Sequence, residues 1–322
     1  MTVNEKQGFR EGESGSKSAS RPWGWKTALL AVLAVGITAF FVLIEFGERN
    51  SEVMGTNGVA LSSDGTRIAF TRVGSGPVVI IVDGAFCFRK NGPSAALAKE
   101  FAKHFTVYYY DRRGRGESGD SGSYTIQREV DDLQSVINSA GETPYVLGIS
   151  SGAGLALQAA SSGVRMQKLA LYEPPYVTST RHIGSMQAYR SHLQELLAAG
   201  DRAGAVRYFL TDIFRAPKLF AYAMPIIMPR AWKYCKSTAP ALIYDLTILD
   251  DKSVLTDRAK DITVPTLVVG GTKSPSDLQI AVKEVAAALP NAKARFLEGQ
   301  THNVSPEATV PVLESFFTST AN

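Results

Sequence analysis

Ser150 is the residue whose surroundings most clearly suggest chemistry. It lies at the centre of Gly148-Ile149-Ser150-Ser151-Gly152, a Gly-x-Ser-x-Gly motif. An apolar run beginning at Tyr145 precedes the motif and a run of small, helix-compatible residues follows it, which predicts a strand, a sharp turn and a helix. Such a turn strains the backbone at the serine and leaves space only for small residues two positions away. The motif therefore predicts a nucleophilic serine beside backbone N–H groups that can stabilise an oxyanion.

A serine nucleophile needs a base that accepts its proton, and histidine is the usual one. The chain has 4 histidines. His302 follows the last predicted strand, at the end of the strand where such a base is needed. His104 precedes a strand instead, and His182 and His192 fall in a segment without strands. His302 is therefore the candidate base.

Strand-like and helix-like segments alternate along most of the chain after a short β-hairpin around Ser63-Asp64-Gly65. This alternation predicts a mostly parallel sheet covered by helices on both faces. The helices are predicted at Ser94–His104 and Thr125–Ala140, and a run from Tyr145 leads into the serine turn. The other predicted strands are Pro77–Val82, Thr106–Tyr110, Lys168–Tyr172, Val264–Val269 and Ala294–Leu297.

Active sites in such sheets lie at the carboxyl ends of the strands. Five polar residues are predicted at or just past these ends, namely Asp83, Ser150, Glu173, Ser274 and His302.

The alternation stops between Val177 and Arg258. Amphipathic helices are predicted at Ser185–Ala199 and Arg202–Phe214, the second capped by Asp201, and the segment Phe220–Ile248 is apolar and aromatic. We interpret residues 177–258 as a helical lid inserted after the strand that ends at Glu173.

The N-terminal region differs in composition from the rest. Residues 1–22 are polar and predict a disordered tail. Residues 23–46 contain the charge-free run Thr27–Ile44, which is long enough to cross a hydrocarbon core as a helix, preceded by two interfacial tryptophans. Five basic residues precede this run and one follows it closely, so we expect a single-pass anchor with a cytoplasmic N-terminus and an extracytoplasmic domain at residues 55–322. A cleaved signal peptide is the alternative.

The overall composition adds few constraints. The 322 residues are 45% hydrophobic and 20% charged, as expected for a globular domain with a full core. A net charge of +4 and the lack of a long basic run argue against nucleic acid as a partner. Cys87 and Cys235 fit two independent thiols better than a disulfide, although an extracytoplasmic location permits pairing. The sequence leaves the oligomeric state open.

Three motifs together resemble the α/β-hydrolase family over about residues 55–320. They are the serine turn, an Asp-x-Arg-Gly-x-Gly-x-Ser turn at Asp111 to Ser118, and a terminal Gly-x-x-His at Gly299 to His302, and they occur in the family's order. The resemblance implies an α/β-hydrolase fold and a serine hydrolase that needs no metal or organic cofactor. It also implies that His302 is the base, and that the oxyanion hole consists of the backbone N–H groups of Ser151 and Ala85.

The chain departs from the family at two places. The family commonly has its acid a few residues past the strand Val264–Val269, and Ser274 occupies that place here. Glu173, at the end of the preceding strand, is the better candidate acid. Asp277 is the less favoured one, because Ser274-Pro275-Ser276-Asp277 resembles a helix capping box. The second departure is Asp83, which stands where the family usually has His in a His-Gly pair.

These observations predict a membrane-anchored serine hydrolase that forms an acyl-enzyme with a small-molecule carboxylic ester or a related acyl compound. A peroxidase-like side activity and carbon–carbon bond cleavage use the same triad and stay open. The rival hypothesis is a non-catalytic α/β-hydrolase-fold binding protein, which the missing family acid and Asp83 would favour.

Overall fold

The computed structural model describes residues 55–176 and 186–320. The predicted tail, the predicted anchor and His182 lie outside these residues. Within them, no helix is both long and apolar enough to cross a membrane.

A central sheet of eight strands organises the described part of the chain, with the spatial order β1-β2-β4-β3-β5-β6-β7-β8. The pairs β1–β2 and β2–β4 are antiparallel, and every later pair is parallel. The strands are β1 Thr56–Leu61, β2 Arg67–Gly74, β3 Val78–Val82, β4 Thr106–Tyr110, β5 Tyr145–Ile149, β6 Leu169–Tyr172, β7 Thr266–Gly271 and β8 Ala292–Leu297.

Helices lie between successive strands of the parallel part of the sheet, and the last helix follows β8. They are α1 Ser94–Phe101, α2 Ile126–Ala140, α3 Ser151–Ser161, α4 Met186–Ala198, α5 Arg202–Tyr208, α6 Lys218–Ile227, α7 Pro229–Thr238, α8 Leu242–Asp250, α9 Ser276–Ala288 and α10 Pro306–Thr318. Short helical turns are Phe209–Ile213, which is a π-helix, and Ala239–Ala241, Lys252–Leu255 and Ala259–Asp261, which are 3₁₀.

The predicted fold is confirmed, with the sheet buried on both faces. In β3, Ile80 and Val82 face the side covered by α2, α3 and α9, whereas Val79 and Ile81 face α1 and α10. Successive side chains of a strand point to opposite faces, so a strand covered on both sides must be apolar throughout. That is why the continuous run of β-branched residues predicted a central strand correctly.

The described part of the segment between β6 and β7 is helical from Met186 onward, as its sequence indicates. Its helices enclose an apolar cluster of their own, which includes Phe209, Phe220 and Trp232 and contacts Phe86 from the loop after β3. Asp201 caps α5 through the backbone N–H of Gly204, as predicted. The predicted helix Arg202–Phe214 is wrong in its second half, where the chain continues as a π-helical turn.

The two cysteines are both free and buried. Cys87 lies in the loop after β3, and Cys235 lies in α7. The prediction of independent thiols is therefore confirmed for this structure.

Candidate active site

Ser150 lies between the end of β5 and the start of α3, in the predicted strand–turn–helix setting. Its backbone has φ 54° and ψ −124°. A positive φ is costly for a residue with a Cβ atom, and such strain is characteristic of functional sites. The Ser150 N–H donates to the carbonyl oxygen of Tyr172, 2.9 Å away, which ties the turn to the end of β6.

The glycines around Ser150 are required by close backbone contacts. A Cβ atom on Gly148 would lie 2.6 Å from the Ala153 Cα atom. A Cβ atom on Gly152 would collide with the Val82 carbonyl oxygen and lie 2.5 Å from that of Asp83. The turn therefore packs directly against the end of β3, and only glycine allows this approach.

Glu173 and His302 form a direct hydrogen bond. The Oε2 atom of Glu173 lies 2.7 Å from Nδ1 of His302. The carboxylate is fully buried, whereas the imidazole retains 17% of its side-chain exposure. Glu173 also has a positive φ of 46°, and its N–H donates to the Val269 carbonyl oxygen, so the strained residue sits where β6 meets β7. This geometry holds the imidazole through Nδ1 and leaves Nε2 available.

The other oxygen of Glu173 is also fully engaged. The Gly271 N–H donates to Oε1 over 2.7 Å, and the Ser274 hydroxyl donates to the same atom. Burial raises the pKa of this carboxyl, but the hydrogen bond and charge of His302 and the donors from Gly271 and Ser274 outweigh burial and lower it. The site therefore favours an ionised Glu173.

The predicted capping box at Ser274 to Asp277 is wrong. Helix α9 begins at Ser276 with Pro275 rather than Ser274 at the N-cap position, and proline has no side-chain group that could cap the helix. The Ser274 hydroxyl instead donates a hydrogen bond to the buried carboxylate of Glu173, a charge-assisted interaction. Asp277 lies in the first turn of α9, and the carboxylate that contacts His302 Nδ1 is that of Glu173.

The candidate oxyanion donors belong to two segments that touch each other. Ser151 is the first residue of α3, so its N–H is one of the groups for which a helix has no internal acceptor. Ala85 follows Gly84, and a Cβ atom on Gly84 would lie 3.0 Å from the Cβ atom of Ser150. The loop carrying the Ala85 N–H therefore passes beside the serine.

Asp83 is buried next to this loop. Its Oδ2 atom accepts a hydrogen bond from the Ser94 hydroxyl at the start of α1. Burial raises the pKa of Asp83 to about 7, against the lowering effects of Ser94 and of the positive charges of Arg115 and Arg112. The side chain points into the protein beneath the loop, toward α1.

Sequence reasoning missed several residues that the structure brings to the site. Ser274 was interpreted as a helix cap at the place where the family has its acid, yet its hydroxyl binds the carboxylate of Glu173. Phe214, from the helical segment, lies with its ring centroid 5.7 Å from that of His302. Asp245 of α8 accepts a hydrogen bond from the Ser151 hydroxyl. The signal that could have found Asp245 was the Asp111–Ser118 motif, because arginines in a buried turn need acidic partners. Within the described residues, no cluster of three or more His, Cys, Asp or Glu side chains could hold a metal ion.

Comparison with known proteins agrees with this fold. Residues 74–312 match the alpha/beta hydrolase family. The structure is similar to an alpha/beta hydrolase from Sphaerobacter thermophilus, with 43% sequence identity, a TM-score of 0.75, and coverage of 81% of this chain and 100% of that one.

Two more distant structures share the fold. A thermophilic esterase from Thermogutta terrifontis has 19% identity and a TM-score of 0.62, with 81% of this chain and 96% of that one covered. An esterase from Exiguobacterium antarcticum has 19% identity and a TM-score of 0.61, with 82% and 100% covered.

A mostly parallel sheet with a strained serine turn and an acid–histidine pair at its carboxyl edge defines an α/β-type hydrolytic enzyme. The family match extends over most of the chain, so the protein belongs to the alpha/beta hydrolase family and is a hydrolase.

Proposed function

We propose that this protein is a membrane-anchored serine hydrolase that cleaves a carboxylic ester or a related acyl compound through an acyl-enzyme at Ser150. Its substrate is a small molecule, and the reaction needs neither a metal nor an organic cofactor.

The single observation that carries this proposal is the hydrogen bond between Glu173 and His302 Nδ1. A buried, ionised carboxylate at Nδ1 keeps that nitrogen protonated and leaves Nε2 free to accept a proton. It also stabilises the imidazolium that forms when the proton arrives.

The chemistry then follows from the positions of the groups. His302 Nε2 accepts the proton of the Ser150 hydroxyl as Oγ attacks the carbonyl carbon, and the tetrahedral oxyanion binds the N–H groups of Ala85 and Ser151. The protonated His302 donates to the leaving alcohol, which leaves the acyl group on Ser150. Water then attacks the acyl-enzyme with His302 again as the base, and the acid is released.

The helical segment between β6 and β7 is proposed to be a lid over this site. The contact of Phe214 with His302 and that of Phe209 with Phe86 support the idea, because both bring apolar rings from the segment to the loops around Ser150. These rings favour an apolar acyl group.

A non-catalytic binding protein of the same fold is the alternative. The positive φ angles of Ser150 and Glu173 argue against it. Binding alone gives no reason to maintain two residues with strained backbones at a site that includes a histidine.

A fluorophosphonate probe tests the proposal, because it reacts only with an activated serine. We expect the full chain to be labelled at Ser150, with Ser150→Ala losing both labelling and esterase activity on p-nitrophenyl esters by at least about a thousand-fold. Ser139→Ala, on the remote helix α2, is the matched control and should be labelled like the parent. Labelling at another serine, or no labelling of a folded parent chain, would reject the mechanism.

The anchor is tested separately, because it depends only on the sequence of residues 23–46. The full chain should fractionate with membranes and resist extraction by carbonate or high salt. Protease added from the extracytoplasmic side should reach the domain. A mature N-terminus beginning after Ile44 would show that the segment is a cleaved signal peptide.

A further inference from the structure

A cluster of buried charges lies directly behind the loops that carry the candidate oxyanion donors. Arg112 and Arg115 come from the turn after β4, and Asp245 comes from α8 in the helical segment. All three are no more than 2% exposed. Buried charges are costly unless they are paired, and here the pairs also contact the active-site backbone.

Arg115 binds the peptide group that contains the Ala85 N–H. Its Nη1 atom donates to the Gly84 carbonyl oxygen over 2.6 Å. Because a trans peptide is planar, holding the carbonyl oxygen on one side directs the N–H of the next residue to the opposite side. The guanidinium also polarises this peptide, which makes the Ala85 N–H a stronger donor.

Arg112 and Asp245 hold the second donor segment. The Ser151 hydroxyl donates to Asp245 Oδ1 over 2.7 Å, and Arg112 Nη1 lies 3.3 Å from the Ser151 Oγ atom. Arg112 Nη1 also donates to the Asp83 carbonyl oxygen over 3.1 Å. The side chain of Ser151 is thereby fixed at the first position of α3, where its N–H is free of the helix ladder.

One carboxylate oxygen joins the two segments. Asp245 Oδ1 accepts from Arg115 over 2.8 Å, from Arg112 over 3.0 Å and from Ser151. We propose that Arg115 and Asp245 are positioning residues that align the two oxyanion-hole N–H groups, and that Asp245 makes this alignment depend on the place of helix α8. The inference rests on the proposed function, since it assigns a role within the same reaction.

Electrostatics agrees with this role. Burial raises the pKa of Asp245, but Arg115 and Arg112 outweigh it and lower that pKa, so Asp245 is ionised between the two arginines. Glu129 of α2 neutralises the other side of Arg112, over 2.6 Å. The charges of the cluster are thus paired, with Arg115 bound to the peptide of the first donor and Arg112 beside the Ser151 side chain.

The coupling to α8 follows from where Asp245 lies in the chain. It belongs to the helical segment, whereas the arginines and Ser151 belong to loops of the sheet. A displacement of α8 would withdraw the only carboxylate that contacts Arg115 in the described structure. The catalytic power of the site would then fall although Ser150, His302 and Glu173 stay in place.

The test compares two identical substitutions in one turn. Arg115→Lys removes the fork that reaches both Gly84 and Asp245, because a single ammonium does not reproduce that geometry. Arg113→Lys is the matched control: Arg113 is equally buried, but it binds both oxygens of Asp132 in α2 and one oxygen of Asp64 in the turn between β1 and β2. The measurements are kcat, KM, the thermal midpoint, and the inhibition constant of a trifluoromethyl ketone, whose adduct with the serine carries an oxyanion.

We expect Arg115→Lys to lower kcat by about 10- to 100-fold, less than the loss of a whole oxyanion donor. KM should change by no more than about two-fold, and the inhibition constant of the ketone should rise by the factor by which kcat/KM falls. Arg113→Lys should lower the thermal midpoint at least as much, with kcat and the inhibition constant within about two-fold of the parent. Asp245→Asn, which keeps the side-chain volume, should repeat the pattern of Arg115→Lys and replaces it if that variant does not fold.

Two results would overturn the inference. One is that Arg115→Lys and Asp245→Asn keep kcat and ketone inhibition within about two-fold of the parent. The other is that Arg113→Lys loses as much as they do, which would make the effect a general loss of stability. A parent chain that neither reacts with a fluorophosphonate nor binds the ketone would instead overturn the proposed function, and this inference with it.

Discussion

The hydroxyl group of Ser274, in the loop after β7, donates a hydrogen bond to the carboxylate of Glu173, at the end of β6. In the alpha/beta hydrolase family, the position of Ser274 commonly holds the acid itself. Here the carboxylate of Glu173 lies at the end of the neighbouring strand instead. The hydroxyl group of Ser274 donates to it and thereby favours the ionised form of Glu173. The two strands are neighbours in the sheet, so a carboxylate from either one can reach the same histidine.

The first prediction concerns the acid. Glu173→Gln keeps the shape of the side chain but removes its charge, so His302 loses both its oriented tautomer and the partner of its protonated form. We expect kcat to fall by about several hundred- to ten-thousand-fold. Esterase kinetics with a p-nitrophenyl ester measure the effect.

Asp277→Asn is the control for that substitution. Asp277 lies in the first turn of α9, so the loss of its charge should act on the helix start and cost about 0.3–1 kcal/mol of unfolding free energy. Its kcat should stay within a few-fold of the parent. An inactive Asp277→Asn beside an active Glu173→Gln would show that the acid is assigned to the wrong strand.

The second prediction concerns the donor. Ser274→Ala removes one hydrogen bond to an ionised carboxylate, so the pKa of Glu173 should rise. Activity requires the ionised form, and the acidic limb of the kcat/KM profile should therefore shift to higher pH. At neutral pH we expect a loss of about three- to ten-fold, less than the full free energy of a hydrogen bond to a charged group, because the Gly271 N–H still donates to the same oxygen. The exposed Ser276→Ala should leave the profile unchanged, and an unshifted limb in Ser274→Ala would contradict the assigned role.

The third prediction concerns the close approach at the serine turn. Gly152→Ala would place a Cβ atom against the carbonyl oxygens of Val82 and Asp83, which are backbone atoms that cannot rotate away. We expect a loss of about 1–3 kcal/mol or more in unfolding free energy, together with much weaker fluorophosphonate labelling. Gly119→Ala is the control, because its nearest contact would be an ordinary 3.4 Å to a Thr66 methyl group. Urea denaturation compares the two, and equal stabilities would show that the turn can relax.

The fourth prediction concerns Asp83 and pH. Its pKa is raised from an ordinary 3.8 to about 7 by burial, so the folded state binds the proton more tightly than the unfolded chain does. The stability that this proton contributes is fully present below about pH 4 and is lost as the pH rises through about 7. Asp83→Asn cannot ionise and should escape this loss.

Urea unfolding at pH 4.5 and pH 8 measures this difference. Relative to the parent, Asp83→Asn should gain stability between the two values, by ~3 kcal/mol for a shift of this size over this pH range. A constant difference would mean that Asp83 is ionised throughout the range.

Features that depend only on neighbouring residues were predictable from the amino-acid order. The continuous apolar run of β3 predicted a strand buried on both faces, and Gly148 and Gly152 predicted the strained turn at Ser150. The positions of Glu173 and His302 at strand ends also predicted that both residues lie at the same edge of the sheet. These predictions succeeded because backbone strain, periodicity and side-chain size act within a few residues.

Contacts between side chains far apart in the chain depend instead on how the strands and helices pack. Glu173 and His302 are 129 residues apart, and their contact depends on the order of β6, β7 and β8 in the sheet. The local pattern around Ser274 is compatible with a helix cap, and only the fold brings the Glu173 carboxylate within reach of its hydroxyl. Asp245 reaches Arg115 across 130 residues. Local propensity contains no information on such pairs, because a buried charge takes its partner from whichever element the fold packs against it.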